Sequence, residues 1–335
     1  MVGPAGPKLE RQHLGAVLSD VVNVHPTSSM RHPTADWGEQ QVRLTDRVSV
    51  LVGADNGAYP SGNSVLIEGG AETALIDPSV TVVAKGGAPV DVDLVINSHG
   101  HEDHVAGNGF FSQARVHIHD DDLLAAHSLD GLIEVYGFEG ETRDEFATMV
   151  AEEFNYQPRP DAQGFSDGHV FNLGGSVTVE ALHLPGHTRG HSGLLIDDVF
   201  FLSDIDLTGF GPYYGDAWSD LDQFDASLTK ARQVEANWYV TFHHKGIIEG
   251  RETFLRMIDG FHAVIERRHQ QMLGFLSEPR TLEDLVTNRF VYRPQNEGAH
   301  IDSVERRTAE LHLARMIERD EATEVEPGRY QAGSA

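Results

Sequence analysis

The sequence contains no cysteine, and this absence excludes disulfide frameworks, thiolate metal ligands and cysteine nucleophiles. It also lacks any apolar run near the roughly 18 residues that a membrane-spanning helix needs. Its first 30 residues do not combine a basic segment with an apolar one, which is the pattern of a secretory leader. From these absences we expect a cytoplasmic protein with no membrane partner.

Positive charge is scarce in this chain. Its 335 residues include 25 Lys and Arg against 52 Asp and Glu, which gives a formal net charge of −27 at pH 7. Such an acidic surface repels the phosphate backbone of nucleic acids. We therefore expect a small-molecule substrate and no nucleic-acid partner, and a homodimer is left open.

What the chain does contain is a cluster of side chains that ligate metals. Residues 92–97 form a short apolar run typical of a buried strand, and the turn after it holds His99, His101, Asp103 and His104. Packing gives no reason to crowd three histidines and a carboxylate at the end of an apolar strand. His99 and His101 can point to one place, and Asp103 and His104 to a second place nearby. The cluster therefore predicts a site for two metal ions, and its ligands suit zinc, iron or manganese.

The pattern His-x-His-x-Asp-His resembles the signature of the metallo-β-lactamase superfamily of hydrolases, and the resemblance extends over residues 45–250. It implies an α/β fold, a four-layer αββα sandwich. It also implies further ligands: His187 in the Gly-rich turn 185–193, and a carboxylate after the strand that ends at residue 203. We expect Asp204 to be that carboxylate and to bridge the two metals, with Asp206 as the alternative.

The last ligand implied by the resemblance is a histidine near residue 244. His244 is favoured because the final ligand of the family usually opens a short His-x-Gly turn, and its neighbour His243 is left open. In the resulting assignment, the first metal is held by His99, His101 and His187, the second by Asp103, His104 and His244, and both by Asp204. Zinc is the favoured metal, with iron and manganese as alternatives.

Two dications about 3.5 to 4 Å apart lower the pKa of a bridging water, so that hydroxide is available as a nucleophile near neutral pH. Asp103 is the expected catalytic residue, because it can orient this hydroxide and pass its proton to the leaving group. The resemblance then implies a glyoxalase-II-like or lactonase-like hydrolase of an ester, thioester or lactone bond. His101 favours hydrolysis, since redox diiron relatives carry Glu at this place.

Two other functions remain as alternatives. A mononuclear iron oxygenase, similar to the persulfide dioxygenases, would use His99, His101 or His187, and Asp204 around one iron. A non-enzymatic regulatory protein would act through the C-terminal module instead. The complete set of metal ligands argues against the second alternative.

The chain divides into three predicted segments: a surface arm over residues 1–40, the catalytic domain over residues 41–260, and a winged-helix-like module over residues 261–335. Ten arginines against thirteen acidic residues in the last segment argue against DNA binding. We expect this module to brace the catalytic domain or a subunit interface.

Four smaller features of the catalytic domain carry expectations. The insertion 128–165 is a candidate lid, and the loop 207–218 is either an aromatic pocket wall, which is favoured, or a packed turn. Asp77 is either a partner of a metal-binding histidine or a plain turn residue. Asp120, Asp121 and Asp122 are expected to cap the helix after them.

Overall fold

The computed structural model describes residues 34–296, 298 and 300–333 of the chain. Most of the predicted N-terminal arm, including a helix expected over residues 9–22, lies outside the described residues. Within them, two β-sheets pack face to face and helices cover both outer faces. The four-layer αββα architecture that the sequence predicts is confirmed.

The first sheet follows chain order from β1 to β7. Neighbours are antiparallel up to β4, and the pairs from β4 to β7 are parallel. Its strands are β1 (Gln41–Arg43), β2 (Val48–Leu51), β3 (Ser64–Glu68), β4 (Thr73–Ile76), β5 (Leu94–Ile96), β6 (Arg115–His119) and β7 (Gln163–Phe165). Strands β3 and β4 form an antiparallel hairpin that turns at Gly69 and Gly70.

The second sheet has the order β13, β12, β11, β10, β9, β8. All of its neighbours are antiparallel except β11 and β12. Its strands are β8 (Val170–Asn172), β9 (Thr178–His183), β10 (Ser192–Ile196), β11 (Val199–Ser203), β12 (Trp238–Thr241) and β13 (Ile247–Glu249).

The core between the sheets is built from one face of each, because successive residues of a strand point to opposite sides. On β4, Ile76 faces the second sheet and Leu75 faces the outer helices. On β11, Phe201 faces the first sheet and Phe200 faces outward. These strands are therefore buried on both faces and are continuously apolar.

Helices cover the outer faces with the apolar side chains of one stripe. In the catalytic region they are α1 (Val80–Lys85), α2 (Leu123–His127), α3 (Leu129–Tyr136), α4 (Gly140–Glu153), α5 (Leu221–Ala231) and α6 (Arg251–Phe275). Helices α2 to α4 pack on the first sheet, and α5 and α6 pack on the second. None of the described helices is long and apolar enough to cross a membrane.

The C-terminal part consists of α7 (Leu282–Asn288), α8 (Ile301–Glu318) and a small sheet in the order β14 (Arg280–Thr281), β16 (Arg329–Ala332), β15 (Ala322–Glu326). Helix α7 begins with a capping box between Thr281 and Asp284. Helix α6 runs through the boundary expected at residue 260, so the catalytic region and the C-terminal part share one continuous helix. The domain limits and the winged-helix assignment stay predictions.

Strands from both sheets deliver side chains to one end of the sandwich. In the first sheet, β4, β5 and β6 are parallel, so their carboxyl ends share an edge. In the second sheet, β9, β11 and β12 run in one common direction. The turns after these six strands meet, as is usual for sites at the carboxyl ends of parallel strands.

Candidate metal centre

Seven histidine and aspartate side chains form two adjacent groups at this end of the sandwich. The first group is His99, His101, His187 and Asp204, and the second is Asp103, His104 and His243. Within each group, the nitrogen and oxygen atoms that can bind a metal lie within 4.8 Å of one another. The structure thus brings together six of the seven ligands expected from the sequence, in the expected two sets.

Asp204 lies between the two groups. Its Oδ2 atom is 3.2 Å from Nε2 of His187 in the first group, and its Oδ1 atom is 3.0 Å from Nε2 of His104 in the second. Each carboxylate oxygen therefore reaches a different group, which is the placement expected of a bridging ligand.

The donor atoms fit two metal ions because several of them are buried without a hydrogen-bond partner in the described part of the chain. These atoms are Nε2 of His99, Nε2 of His104, Oδ2 of Asp103 and Oδ1 of Asp204. Buried polar atoms without partners are costly, so a cluster of them needs an explanation. Imidazole nitrogens and carboxylate oxygens that face a common space are the donor set for zinc, iron or manganese.

The last member of the second group is His243, whereas the sequence favoured His244. Nδ1 of His243 lies 2.9 Å from the carbonyl oxygens of both Gly57 and Ser61, and donation to them turns Nε2 toward Oδ2 of Asp103, 2.9 Å away. His244 adopts a left-handed backbone conformation, with φ of 58°, and its side chain is exposed. The tight turn therefore directs His243 inward and His244 outward.

Asp77 holds the turn that follows β5. Its Oδ2 atom lies 2.8 Å from Nδ1 of His104, and its carboxylate also accepts hydrogen bonds from the backbone nitrogen and hydroxyl of Ser98. A carboxylate on the remote nitrogen of a metal-binding histidine fixes the orientation of the ring. The contact expected between Asp77 and a histidine of the site is present.

Asp122 connects the two metal-binding turns, and although it stands at the N-cap position of α2, its side chain does not cap that helix. Residues Asp120–Asp122 form a 3-10 turn, and the side chain of Asp122 makes no capping bond. Instead it accepts hydrogen bonds from the backbone nitrogens of Gly100 and Gly190 and from the hydroxyl of Thr188. The expectation for this residue is corrected, because its partners are brought close only by the fold. Asp122 follows β6, which runs parallel to β5, and this position at the carboxyl end of a strand was the signal of its location that the sequence offered.

Two other polar residues near the site have structural partners. Nδ1 of His191 donates to the carbonyl oxygen of Leu184, and Nε2 accepts from the backbone nitrogen of Asp204. Burial lowers the pKa of His191 to about 3, so its ring is neutral, and its two hydrogen bonds hold the loop. Asp206, the alternative bridging residue, belongs to neither group and accepts two hydrogen bonds from Thr208.

The charges of the ligands depend on one another. Burial would raise the pKa of Asp204, but His104 and His243 hold that pKa well below its usual value. Burial lowers the pKa of His104, whereas Asp204, Asp103 and Asp77 raise it well above its usual value. Asp204 is thus ionised at neutral pH, and the site suits a cation that takes the place of protons on the histidines.

The insertion reaches the metal centre through the last residue of α3. The ring of Tyr136 stacks on His101, with centroids 4.9 Å apart and planes inclined by 24°. Its hydroxyl donates to the buried Glu102, which also accepts from Tyr59 at 3.0 Å. The insertion therefore covers one face of a metal ligand, in agreement with its expected position as a lid.

The loop 207–218 is only partly an aromatic wall. Tyr214 is 1% exposed and Trp218 is 4% exposed, and both pack in apolar clusters. Tyr213 lies closer to the metal centre, since its carbonyl oxygen accepts from Nδ1 of His187 at 2.9 Å. The aromatic residues of this loop thus divide between core packing and contact with the site.

The C-terminal half of α6 and helix α8 hold this loop in place. Arg268 on α6 donates to the carbonyl oxygens of Phe210 and Pro212, and Arg307 on α8 donates to that of Ser219. A Cβ atom on Gly215 would lie 2.3 Å from Val304 of α8, so glycine is needed for this close approach. These contacts agree with the expectation that the module braces the catalytic domain.

Comparisons with known proteins identify the family to which this architecture and site correspond. Residues 59–259 match the family model described as "Metallo-beta-lactamase superfamily". None of the curated proteins matches the chain at a significant level. The three solved structures described next are 15% to 20% identical to this chain, so their likeness establishes the fold alone.

Three solved structures illustrate the likeness. A metallo-β-lactamase family protein from Thermus thermophilus is 20% identical and has a TM-score of 0.66, covering 87% of this chain and 100% of its own. A β-lactamase domain protein from Burkholderia ambifaria is 15% identical, with a TM-score of 0.63 and coverages of 88% and 93%. A B3 metallo-β-lactamase with an active-site glutamic acid is 15% identical, with a TM-score of 0.50 and coverages of 69% and 91%.

Proposed function

Because the chain belongs to the metallo-β-lactamase superfamily, we propose that it is a metal-dependent hydrolase that cleaves an ester, thioester or lactone bond of a small molecule. The observation that carries the proposal is the pair of adjacent ligand groups with Asp204 between them. Hydrolysis at such a centre needs no serine or cysteine nucleophile.

Each ion has its own set of ligands in this proposal. His99, His101 and His187 would hold the first ion, Asp103, His104 and His243 the second, and Asp204 both. When bound, two dications polarise a substrate carbonyl and lower the pKa of a water toward neutrality. Zinc is the favoured metal because the two groups consist of histidine and aspartate side chains, which zinc binds, and because hydrolysis requires no redox change.

Asp103 is the residue that transfers the proton from the attacking water to the leaving group. Burial would raise its pKa, but the charge of His104 and the contact with His243 lower it, so the carboxylate is ionised at neutral pH. An ionised carboxylate within the second group can orient a water and accept its proton. Asp103 can then pass this proton to the leaving group as the bond breaks.

The second ligand group favours a binuclear hydrolase over a mononuclear iron oxygenase. An oxygenase that uses only the first group would leave Asp103, His104 and His243 without a function, although all three are buried. The C-terminal part is proposed to support the loop next to the first group, in keeping with its contacts and its acidic balance of charge.

A panel of hydrolysis assays tests the proposal. Purified protein loaded with Zn²⁺ is assayed on a thioester, a lactone, an aryl ester, a β-lactam and a phosphodiester. We expect hydrolysis of an ester, thioester or lactone that a chelator abolishes and added metal restores. Oxygen consumption with a persulfide, without hydrolysis of any panel member, would instead establish the oxygenase. No activity in fully metallated protein would remove the enzymatic assignment.

A further inference from the structure

We propose that Asp216 is a positioning residue that orients His101 toward the first metal and so determines how tightly that metal is held. The inference rests on the proposed two-metal site. It concerns a residue outside the recognised ligand motifs, on a loop whose sequence offered no sign of such a contribution.

The contact itself is short and buried. Oδ2 of Asp216 lies 3.2 Å from Nε2 of His101, and Asp216 is 1% exposed. Both atoms are buried and neither makes a hydrogen bond within the described part of the chain, so their contact is a close ion pair and not an aligned hydrogen bond. The other nitrogen of His101, Nδ1, lies 3.0 Å from Nε2 of His187 and so faces the first group. His101 therefore presents one nitrogen to the metal position and the other to Asp216.

A buried carboxylate is costly unless a positive or donating group satisfies it. Oδ1 of Asp216 accepts a hydrogen bond from the hydroxyl of Tyr213 at 3.0 Å. Among the described residues, the ion pair that Asp216 makes is with His101. The burial of Asp216 is thus explained by His101, which would carry its proton on Nε2 and leave the lone pair of Nδ1 for a metal.

The remaining ligands of the first group have different partners. Nδ1 of His99 lies near the hydroxyls of Ser98 and Ser203, and Nδ1 of His187 donates to the carbonyl oxygen of Tyr213. A carboxylate is a stronger acceptor than a carbonyl or hydroxyl oxygen, and it makes the histidine a better donor to the metal. His101 is therefore the member of the first group whose binding a carboxylate supports.

The two ligand groups have the same construction in this respect. In the second group, Asp77 lies 2.8 Å from the remote nitrogen of His104. Asp216 has the corresponding relation to His101 in the first group. Each metal position thus has one histidine backed by a buried carboxylate, and the two carboxylates come from unrelated parts of the chain.

Asp216 is itself held firmly. The backbone nitrogen of Asp216 donates to the hydroxyl oxygen of Ser219 at 3.2 Å, and Gly215 before it packs against Val304 of α8. The hydroxyl of Tyr214 is 3.0 Å from Nε2 of His312, also on α8. The C-terminal helix therefore fixes the loop that carries Asp216, and through it the orientation of His101.

The test compares Asp216→Asn with Asp220→Asn, which removes the same charge four residues away. Asp220 caps α5, a position that Asn also fills well, and its capping bond is to Gln223, away from the ligand groups. Metal-free proteins are titrated with Zn²⁺ in competition with a chromophoric chelator. We expect Asp216→Asn to weaken one of the two zinc sites by about 10- to 100-fold, and Asp220→Asn to bind both ions as the wild type does.

A second readout reports the ring of His101 directly. In zinc-loaded protein with ¹⁵N-labelled histidine, NMR should place the proton of His101 on Nε2, and Asp216→Asn should shift this resonance while the signals of the second group stay. If Asp216→Asn does not fold, Tyr213→Phe keeps the carboxylate but frees its other oxygen, and it should weaken the same zinc site by a smaller factor.

The outcomes separate the two proposals. A folded Asp216→Asn protein that binds both zinc ions with wild-type constants and an unchanged His101 resonance would overturn this inference alone. Wild-type protein that binds no zinc would contradict the proposed function, and this inference with it. If Asp220→Asn weakened zinc binding as Asp216→Asn does, the cause would be the loss of one negative charge and not the contact with His101. This outcome would also overturn the inference.

Discussion

Nε2 of His243 lies 2.9 Å from Oδ2 of Asp103, whereas the neighbouring His244 has an exposed side chain. The two histidines therefore form a matched pair for mutation. We expect His243→Ala to reduce the metal content from two ions per chain to one and to lower turnover strongly. His244→Ala should keep both ions. Elemental analysis of the two purified variants distinguishes them, and loss of an ion from His244→Ala only would reverse the assignment.

Asp103→Asn should lower turnover by about 10²- to 10⁴-fold, since an amide neither balances metal charge nor accepts a proton from water. The fold should persist, because asparagine has nearly the same volume in this buried position. The measurement is kcat in protein whose metal content has been determined. Near-normal kcat in a fully metallated variant would show that Asp103 takes no part in the reaction.

Asp122→Ala should destabilise the protein, because its carboxylate accepts three hydrogen bonds from the two metal-binding turns. Hydrogen bonds to a charged acceptor contribute more than neutral ones, so we expect the free energy of unfolding to fall by about 3 kcal/mol or more. Asp121→Ala is the control, since the Asp121 side chain is 56% exposed. Chemical denaturation of both variants makes the comparison, and equal effects would contradict the connecting function of Asp122.

His312 should make the stability of the protein depend on pH. Burial lowers its pKa well below the usual value, and His269, Arg315 and Arg268 lower it further. Between pH 6.5 and that lowered pKa, the unfolded chain binds a proton at His312 and the folded chain does not. The free energy of unfolding should therefore fall as pH falls below about 6.5, by up to about 1.4 kcal/mol per pH unit.

The experiment compares melting temperatures from pH 8 to pH 5 in wild type, His312→Gln and the exposed His169→Gln. Tyr214 and His269 contact the two nitrogens of His312, and Glu321 contacts His269. The decrease in melting temperature at acidic pH should be smaller in His312→Gln than in the other two proteins. Parallel curves for all three would show that His312 does not cause the dependence.

The expected ligands that the structure brings together share a local signal. His99, His101, Asp103 and His104 occupy one turn after an apolar strand, and His187 and Asp204 each follow another strand in the same way. Their convergence requires only that the ends of these strands meet at one edge of the sandwich. A strand pattern with polar residues at its end carries that information.

The choice between His243 and His244 could not be made locally. It depends on the carbonyl oxygens of Gly57 and Ser61, which lie more than 180 residues earlier in the chain and hold Nδ1 of His243. Asp122 and Asp216 were missed for a similar reason, because their partners are distant in sequence. For the loop 207–218, the favoured pocket wall and the alternative packed turn could not be told apart from the sequence, since aromatic loop residues occur both in pockets and in cores.

The most direct test of the two-metal centre is a crystal structure of the metal-loaded protein, with anomalous difference maps measured at the absorption edge of the bound metal. We expect two peaks per chain, one among His99, His101 and His187 and one among Asp103, His104 and His243, with Asp204 in contact with both. A single peak confined to the first group, or a peak ligated by His244 in place of His243, would contradict it.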